Sequence, residues 1–170
     1  AREWVKDKSP VSAFRKLRDG DAPLGYDEKL WREIGEMGWS GIIVPEAHGG
    51  SDFGYLSLGL VLEEMGRTLA ASPLVSSSLG AASALILGGS AAQKEQYLSK
   101  IASGELVATL AVDEGARHAP EGVAMKAKKT GAGYSLSGCK AFVPEGMAAG
   151  LFIVAARMSG KAGSTDGISL

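Results

Sequence analysis

Apolar side chains recur every three or four residues through the first hundred positions, which is the spacing of one face of an α-helix. One predicted helix follows Asp27, an N-cap residue, and places Tyr26 and Trp31 at the two positions of a hydrophobic staple. Its apolar face consists of Leu30, Ile34 and Met37. The pattern predicts about four or five helices up to residue 104, which together form an all-α unit.

The other predicted helices are recognised by their ends or by their lack of charge. Ser9 and Pro10 suit an N-cap followed by the first helical position. Ser90 and Gln93 have the spacing of a capping box, which marks the start of the last helix. Residues 73–89 carry almost no charge, so a helix there is expected to be buried between others. A further helix carries the apolar stripe Leu58, Val61, Leu62, Met65 and Leu69.

From about Val107 the pattern changes to short apolar or alternating runs, which are typical of strands. The predicted strands are 106–112, 122–130, 133–143, 150–158 and a last one that starts at 166, with a Gly-Ala-Gly turn between the second and third. This number of strands is too small to close a barrel. The pattern predicts an α+β chain: an N-terminal all-α helical bundle over 1–104, then a partial β-barrel or sandwich domain over 105–170, truncated at its C-terminus.

Composition excludes several classes of protein. The chain has 170 residues and a formal net charge of −1, so no basic excess points to nucleic acid or to an anionic membrane surface. No apolar run approaches the roughly 18 residues of a transmembrane helix. Cys139 is the only cysteine, which excludes an internal disulfide and, with the charged start of the chain, favours a reducing cytoplasm.

Spacing alone reveals no catalytic constellation. His48 and His118 lack partners at metal-ligand spacing, so no metal site is predicted. The glycines of 131–138 do not have the spacing of a dinucleotide-binding loop, and they favour a hairpin turn. Asp113, Glu114, Arg117 and His118 follow an apolar strand within a few positions. That cluster is either a catalytic group or a turn that leaves a strand, and spacing leaves both interpretations open.

Four stretches, residues 30–50, 58–74, 91–112 and 133–157, resemble the acyl-CoA dehydrogenase family in the family's own order. The first contains "GIIVPEAHGG" and the second "LEEMGR", which are the most specific. The resemblance implies an N-terminal helical domain, a middle β domain and a C-terminal four-helix bundle, with FAD between the last two. It also implies that a glutamate removes the α proton of an acyl-CoA and that FAD accepts the β hydrogen as hydride. In most members that glutamate lies in the C-terminal bundle, so no catalytic residue is expected within this chain.

The resemblance also answers the question that the cluster after the first strand raises. The family's T-E-P-G-A-G-S-D motif falls on 113–120. The resemblance therefore implies that the cluster is a strand-end loop beside a flavin. The second flavin motif, W-I-T-N, falls on 142–145. Asp113 and Pro144 replace the two threonines that face the flavin, and neither supplies a hydroxyl donor. The implied positions are Leu110, Val112, Asp113, Phe142, Val143 and Pro144 for FAD, and Ala119 for the substrate.

Two functions follow from the resemblance. The first is an oxidoreductase that dehydrogenates a fatty or steroid acyl-CoA with FAD, of which these residues are an N-terminal fragment that by itself neither binds FAD nor turns over substrate. The second is a non-catalytic subunit that completes the flavin site of a partner chain in a heteromeric acyl-CoA dehydrogenase. Either protein is expected to be a homo- or hetero-oligomer in the cytoplasm. A helical binding module without this chemistry is the remaining alternative.

Overall fold

The computed structural model describes residues 1–170, and its α-helices and strands occupy separate parts of the chain. The helices are α1 (Arg2–Lys8), α2 (Val11–Asp19), α3 (Glu28–Glu36), α4 (Gly54–Gly66), α5 (Ala82–Gly88) and α6 (Ala91–Ala102), with a π-helix (Leu74–Ala81) directly before α5. The strands are β1 (Ala108–Ala111), β2 (Lys126–Lys129), β3 (Tyr134–Ser137), β4 (Leu151–Val154), β5 (Ala156–Arg157) and β6 (Ile168–Ser169). This order confirms the predicted α+β class. No helix is both long enough and apolar enough to span a bilayer.

Helix α3 begins as its sequence predicts. A carboxylate oxygen of Asp27 accepts hydrogen bonds from the backbone N–H groups of Lys29 and Leu30, at 2.8 and 3.1 Å. The rings of Tyr26 and Trp31 meet edge to face with their centroids 6.2 Å apart, which is the predicted staple. These contacts satisfy two of the backbone donors that a helix leaves free at its first turn.

The capping box of α6 is confirmed, whereas the cap predicted at Ser9 is wrong. Ser90 Oγ accepts from the N–H of Gln93 at 3.3 Å, and Gln93 Oε1 accepts from the N–H of Ser90 at 2.8 Å. Ser9 instead ends α1, where its N–H donates to the carbonyl of Val5, and Pro10 is the residue that precedes α2. The pattern did not separate α1 from α2, and so it did not show that Ser9 already belongs to an earlier helix.

The core of the helical part is one continuous cluster of buried apolar side chains. Trp31 and Ile34 supply it from α3, while Met37, predicted on the same face, is 39% exposed beyond the end of that helix. Leu69, predicted to extend the α4 stripe, is also exposed, because α4 ends at Gly66. The uncharged stretch is buried over most of its length, but Val75 and Leu87 are 56% and 81% exposed. Its first half is a π-helix that also buries Ser76, Ser77 and Ser78.

The strands form two small sheets and no closed barrel. β1 pairs with β4 in parallel, and the second sheet has the order β3-β2-β5-β6. β2 and β3 form the predicted hairpin. Val107 and Ala108 belong to the helical core, and the N–H of Ala108 donates to Ser77 Oγ at 3.1 Å. The first sheet is therefore fixed against the π-helix, which positions the carboxyl end of β1.

A buried arginine in β5 connects the second sheet to the loops that precede β2 and β6. Arg157 is 6% exposed, and its guanidinium donates to four backbone carbonyls, those of Val123, Asp166, Glu121 and Ser164, at 2.7 to 3.1 Å. No carboxylate pairs with it. A buried charge requires hydrogen-bond partners, and here carbonyl dipoles supply them.

Candidate functional site

The two segments that the resemblance assigns to the flavin lie side by side. The N–H of Ala141 donates to the carbonyl of Asp113 at 2.8 Å, and Thr109 Oγ1 donates to the carbonyl of Pro144 at 2.7 Å. Segment 140–150 thus runs back along β1 from its carboxyl end, and then turns into β4. Residues that are 35 positions apart in sequence are joined by one of these hydrogen bonds.

Asp113 holds the loop that follows β1. Its carboxylate lies 3.0 and 3.1 Å from His118 Nδ1 and accepts from the N–H of Ala119 at 3.3 Å. The hydrogen bond from His118, supported by that from Ala119, holds the pKa of Asp113 below its ordinary value despite partial burial. The carboxylate is therefore ionised near neutral pH, and since it only accepts hydrogen bonds, His118 Nδ1 is the donor. Asp113 is turned toward its own loop.

Glu114 joins three segments of the chain. Its two carboxylate oxygens accept from the N–H groups of Ala124 and Met125, both at 2.9 Å, and from Lys140 Nζ at 2.7 Å. Lys140 Nζ also donates to the carbonyl of Val112 at 2.8 Å. Burial alone would raise the pKa of Glu114, but Lys140 and the two N–H donors outweigh it and lower that pKa. This ion pair is a second connection between the two segments that the resemblance assigns to the flavin.

The second segment has an unusual backbone. Phe142 and Glu145 have φ angles of 51° and 46°, which side-chain-bearing residues seldom adopt. Such conformations cost on the order of 1–3 kcal/mol each and concentrate at functional sites, where the surrounding structure enforces them. The Phe142 side chain is 77% exposed. The turn therefore presents an aromatic ring outward next to Pro144, which has no N–H to donate.

FAD is the group that the resemblance implies at this place, and the donors that are present fit it in part. The N–H groups of Phe142 and Val143 make no hydrogen bond within the chain, and they follow directly after the Ala141–Asp113 contact. Free backbone donors of this kind suit the polar edge of a flavin ring. Neither Asp113 nor Pro144 adds a hydroxyl donor, so any hydrogen bonds from this turn to a flavin would come from the main chain.

The remaining predicted residues lie on both sides of this contact. Leu110 is half-buried in β1, opposite Ile153 of β4. The carbonyl of Val112 is occupied by Lys140. Ala119, the predicted substrate position, lines a groove of about 450 Å³ in the loop after β1. The groove is lined by Glu114, Gly115, Ala116, Arg117, Ala119, Gly122 and Val123.

A larger cavity separates the second segment from the helical part. Its volume is about 560 Å³, and its lining includes Val143 and Glu145 from the turn, and Tyr26 and Ala70 from the helical part. Burial raises the pKa of Tyr26, and the carboxylates of Glu28 and Glu145 add to the rise, so the phenol stays protonated. The cavity combines apolar side chains with the Tyr26 hydroxyl and the Glu145 carboxylate in its lining, and such a mixture suits a small-molecule site.

No group of three or more histidine, cysteine, aspartate or glutamate side chains is arranged to hold a metal ion. His48 lies 3.6 Å from Glu95, and His118 pairs with Asp113. Each histidine thus has one acidic neighbour. In the cluster after β1, the carboxylates of Asp113 and Glu114 are bonded to His118 and to Lys140.

Sequence reasoning assigned no role to Lys140, although it connects the two segments. A signal was available: Lys140 lies two residues before Phe142, in a segment predicted to be a strand, and a lysine there needs an acidic partner if it is buried. The acid could have been Glu114 or any other, and only the fold shows which one it is.

Known proteins resemble this chain over most of its length. The family described as "Acyl-CoA dehydrogenase, N-terminal domain" matches residues 1–105. The mitochondrial isovaleryl-CoA dehydrogenase of Arabidopsis thaliana is 41% identical over 144 residues, which are 81% of this chain and 34% of that protein. This chain therefore spans about a third of the length of that relative.

Solved structures cover nearly the whole chain. A variant of the Tcur3481-Tcur3483 steroid ACAD superposes with a TM-score of 0.84 at 31% identity, over 99% of this chain and 44% of that one. The ChsE4-ChsE5 complex from Mycobacterium tuberculosis superposes with a TM-score of 0.82 at 29% identity, over 99% and 43%. Both the helical part and the strands after it are thus shared with these proteins.

Proposed function

The chain belongs to the acyl-CoA dehydrogenase family, and we propose that it forms the helical part and one wall of the flavin site in an enzyme that dehydrogenates an acyl-CoA. The observation that carries this proposal is the contact between the loop after β1 and segment 140–150. Two motifs far apart in sequence meet there, joined by the Ala141–Asp113 and Thr109–Pro144 hydrogen bonds. A site that binds one planar ring from two segments requires this closeness.

FAD, when bound, would supply the acceptor for the hydrogen that leaves the β carbon of the acyl group. The main-chain donors at Phe142 and Val143 would hold one edge of the ring, with Leu110 and Val112 beside it. Asp113 and Pro144 would leave that ring without two hydroxyl donors. The chain itself would then contribute position and exclusion of water, and the proton-accepting glutamate would come from the C-terminal bundle that the resemblance implies.

For the substrate, we propose that the acyl group enters the cavity of about 560 Å³ between the turn and the helical part. The cavity is lined by the small side chains of Ala70 and Ala71 and by the apolar Val143 and Met147. These side chains accept hydrocarbon, while Tyr26, Ser72 and Glu145 give the same cavity polar groups that would orient the acyl chain. Ala119, in the groove after β1, would lie along the more polar part of the acyl-CoA. Fatty and steroid acyl groups both satisfy these requirements.

A second function is favoured by the replacement of both threonines. A chain with Asp113 and Pro144 at those positions would suit a non-catalytic subunit that completes the flavin site of a partner chain. Two of the superposed structures have names that join two different chains. In either case we propose an oligomer of acyl-CoA dehydrogenase-type chains in the cytoplasm, where the free thiol of Cys139 stays reduced.

The deciding experiment is purification of the full-length protein, alone and with candidate partner chains, followed by its visible absorption spectrum. An enzyme is expected to carry about one flavin per chain or per pair of chains and to be bleached by an acyl-CoA. A non-catalytic subunit is expected to show flavin only in the presence of its partner. Residues 1–170 alone are expected to elute without flavin. If neither the full-length protein nor any of its complexes contains flavin, the proposed function is wrong.

A further inference from the structure

A buried ion pair lies at the centre of the candidate site without taking part in its chemistry. The side chain of Lys140 is 6% exposed and that of Glu114 is 21% exposed, and their charged atoms are 2.7 Å apart. We propose that Glu114 and Lys140 are positioning residues, which fix the two flavin-facing segments at the separation that FAD requires. The inference rests on the function proposed above, and it assigns to this pair a role distinct from contact with the flavin.

The location of the pair supports this role. Glu114 directly follows Asp113, and Lys140 directly precedes Ala141, so the pair adjoins the hydrogen bond between Ala141 and Asp113. Lys140 Nζ also donates to the carbonyl of Val112, the residue before Asp113. A change in the pair would therefore move both segments at the residues that lie next to the proposed flavin.

The carboxylate of Glu114 has three donors around its two oxygens. One oxygen accepts from Ala124, and the other accepts from both Met125 and Lys140. An ionised carboxyl group satisfies all three donors, and most of its acceptor positions are used within the chain. A glutamine in its place has one acceptor oxygen, which can serve only one of the two backbone N–H groups. Glu114→Gln therefore removes the charge and weakens one of these backbone hydrogen bonds.

Burial explains why a lysine with two partners is a rigid connection. An ammonium group removed from water needs hydrogen bonds to replace its hydration, and Lys140 has two, to Glu114 and Val112. Lys128 in β2, by contrast, is exposed, so water can hydrate its ammonium group. The ammonium group of Lys140 is held in one place by its two acceptors, and a positioning residue needs such a fixed side chain.

The test compares variants of the full-length protein, with its partner chain if flavin requires one, by their dissociation constants for FAD and their melting temperatures. Lys140→Met removes the charge and keeps the length of the side chain, and Lys128→Met is the matched control at an exposed lysine. We expect Lys140→Met to bind FAD about tenfold more weakly or worse, because small displacements at such sites have large effects. Lys128→Met is expected to bind FAD as the wild type does.

A double variant separates positioning from simple stability. Lys140→Met alone leaves the partly exposed Glu114 carboxylate with two backbone N–H donors and no cation, whereas Glu114→Gln together with Lys140→Met leaves no lone charge. We expect the double variant to recover melting temperature relative to Lys140→Met and to stay weak toward FAD. If Lys140→Met does not fold, the double variant carries the test.

The outcomes are distinct for the inference and for the proposed function. FAD affinity that recovers in step with melting temperature, or that never changes in a folded variant, overturns the positioning role and leaves the proposed function intact. Absence of FAD from the wild-type protein and its complexes overturns the proposed function and this inference with it. Amide hydrogen exchange gives a readout without flavin: in Lys140→Met the N–H of Ala141 should exchange faster than in Lys128→Met, and equal rates contradict the inference.

Discussion

The hydrogen bond between Thr109 and Pro144 permits a precise perturbation of the candidate site. Thr109 is fully buried, and its hydroxyl donates to the carbonyl of Pro144 at 2.7 Å. Thr109→Val has nearly the same shape, so it removes the donor without opening a cavity. The change tests whether this bond fixes segment 140–150 along β1.

The magnitude follows from the environment of the two atoms. A neutral hydrogen bond contributes about 0.5–1.5 kcal/mol to the free energy of unfolding. The loss of stability is larger when the remaining partner is buried and left without a hydrogen bond. Pro144 is an exposed residue, so water partly replaces the lost donor at its carbonyl. We therefore expect a loss of about 1 kcal/mol, which corresponds to a decrease in melting temperature of roughly 2–4 °C for a protein of this size.

The assay is thermal unfolding of wild type, Thr109→Val and Thr109→Ser by circular dichroism. Thr109→Ser keeps the hydroxyl and loses a methyl group, so it measures packing alone. Chemical denaturation provides the free energies independently, and FAD titration of the full-length protein measures the effect on the site. A Thr109→Val protein that is as stable as the wild type and binds FAD equally well would show that this bond does not hold the segment.

Three other changes have defined outcomes. Ser90→Ala should lower the free energy of unfolding by about 1 kcal/mol in chemical denaturation, because the capping box is formed in both directions; an unchanged midpoint would contradict it. Since the pKa values of Asp113 and Glu114 are lowered in the folded chain from ordinary values of 3.8 and 4.5, their contribution to stability is present above those values and is lost as the pH falls below them. Melting temperature measured between pH 7 and pH 3 should show this loss, and the Glu114→Gln variant should show less of it. Asp113→Thr combined with Pro144→Thr should raise the midpoint potential of bound flavin by several tens of millivolts. Each charge-assisted hydrogen bond that is gained contributes about 1.5–3 kcal/mol, and about 30 mV corresponds to 1.4 kcal/mol. A redox titration without a shift would mean that these residues do not face the ring.

Local patterns predicted the ends of elements well where the signal involved only neighbours in sequence. The Asp27 cap, the Tyr26–Trp31 staple and the Ser90–Gln93 box are all formed, because each depends on residues within one or two turns. The helix over 73–89 was predicted as buried, but nothing in its composition distinguishes i→i+4 from i→i+5 hydrogen bonding.

Contacts between distant segments were not predictable in the same way. The resemblance indicated that 113 and 142–144 share a site, and the hydrogen bond from Ala141 to Asp113 agrees with it. The partner of Lys140 and the four carbonyls around Arg157 depend on how loops cross, which no periodicity encodes. The sequence also did not show that the Asp113 carboxylate bonds to His118, because several donors and acceptors lie within a few positions of Asp113.

The π-helix before α5 bonds i→i+5, so this stretch holds one residue more than an α-helix of the same extent would. Its register sets which side chain meets β1: Ser77 Oγ accepts from the N–H of Ala108, while Leu85 of α5 stays in the core. Deletion of one residue within Leu74–Ala81 that spares Ser77 leaves the number that an α-helix needs, so Leu85 should keep its place in the core. Insertion of one residue at the same place adds to the excess, and it should turn either Ser77 away from Ala108 or Leu85 away from the core. A single-codon insertion here should therefore disconnect β1 from the helices that support it.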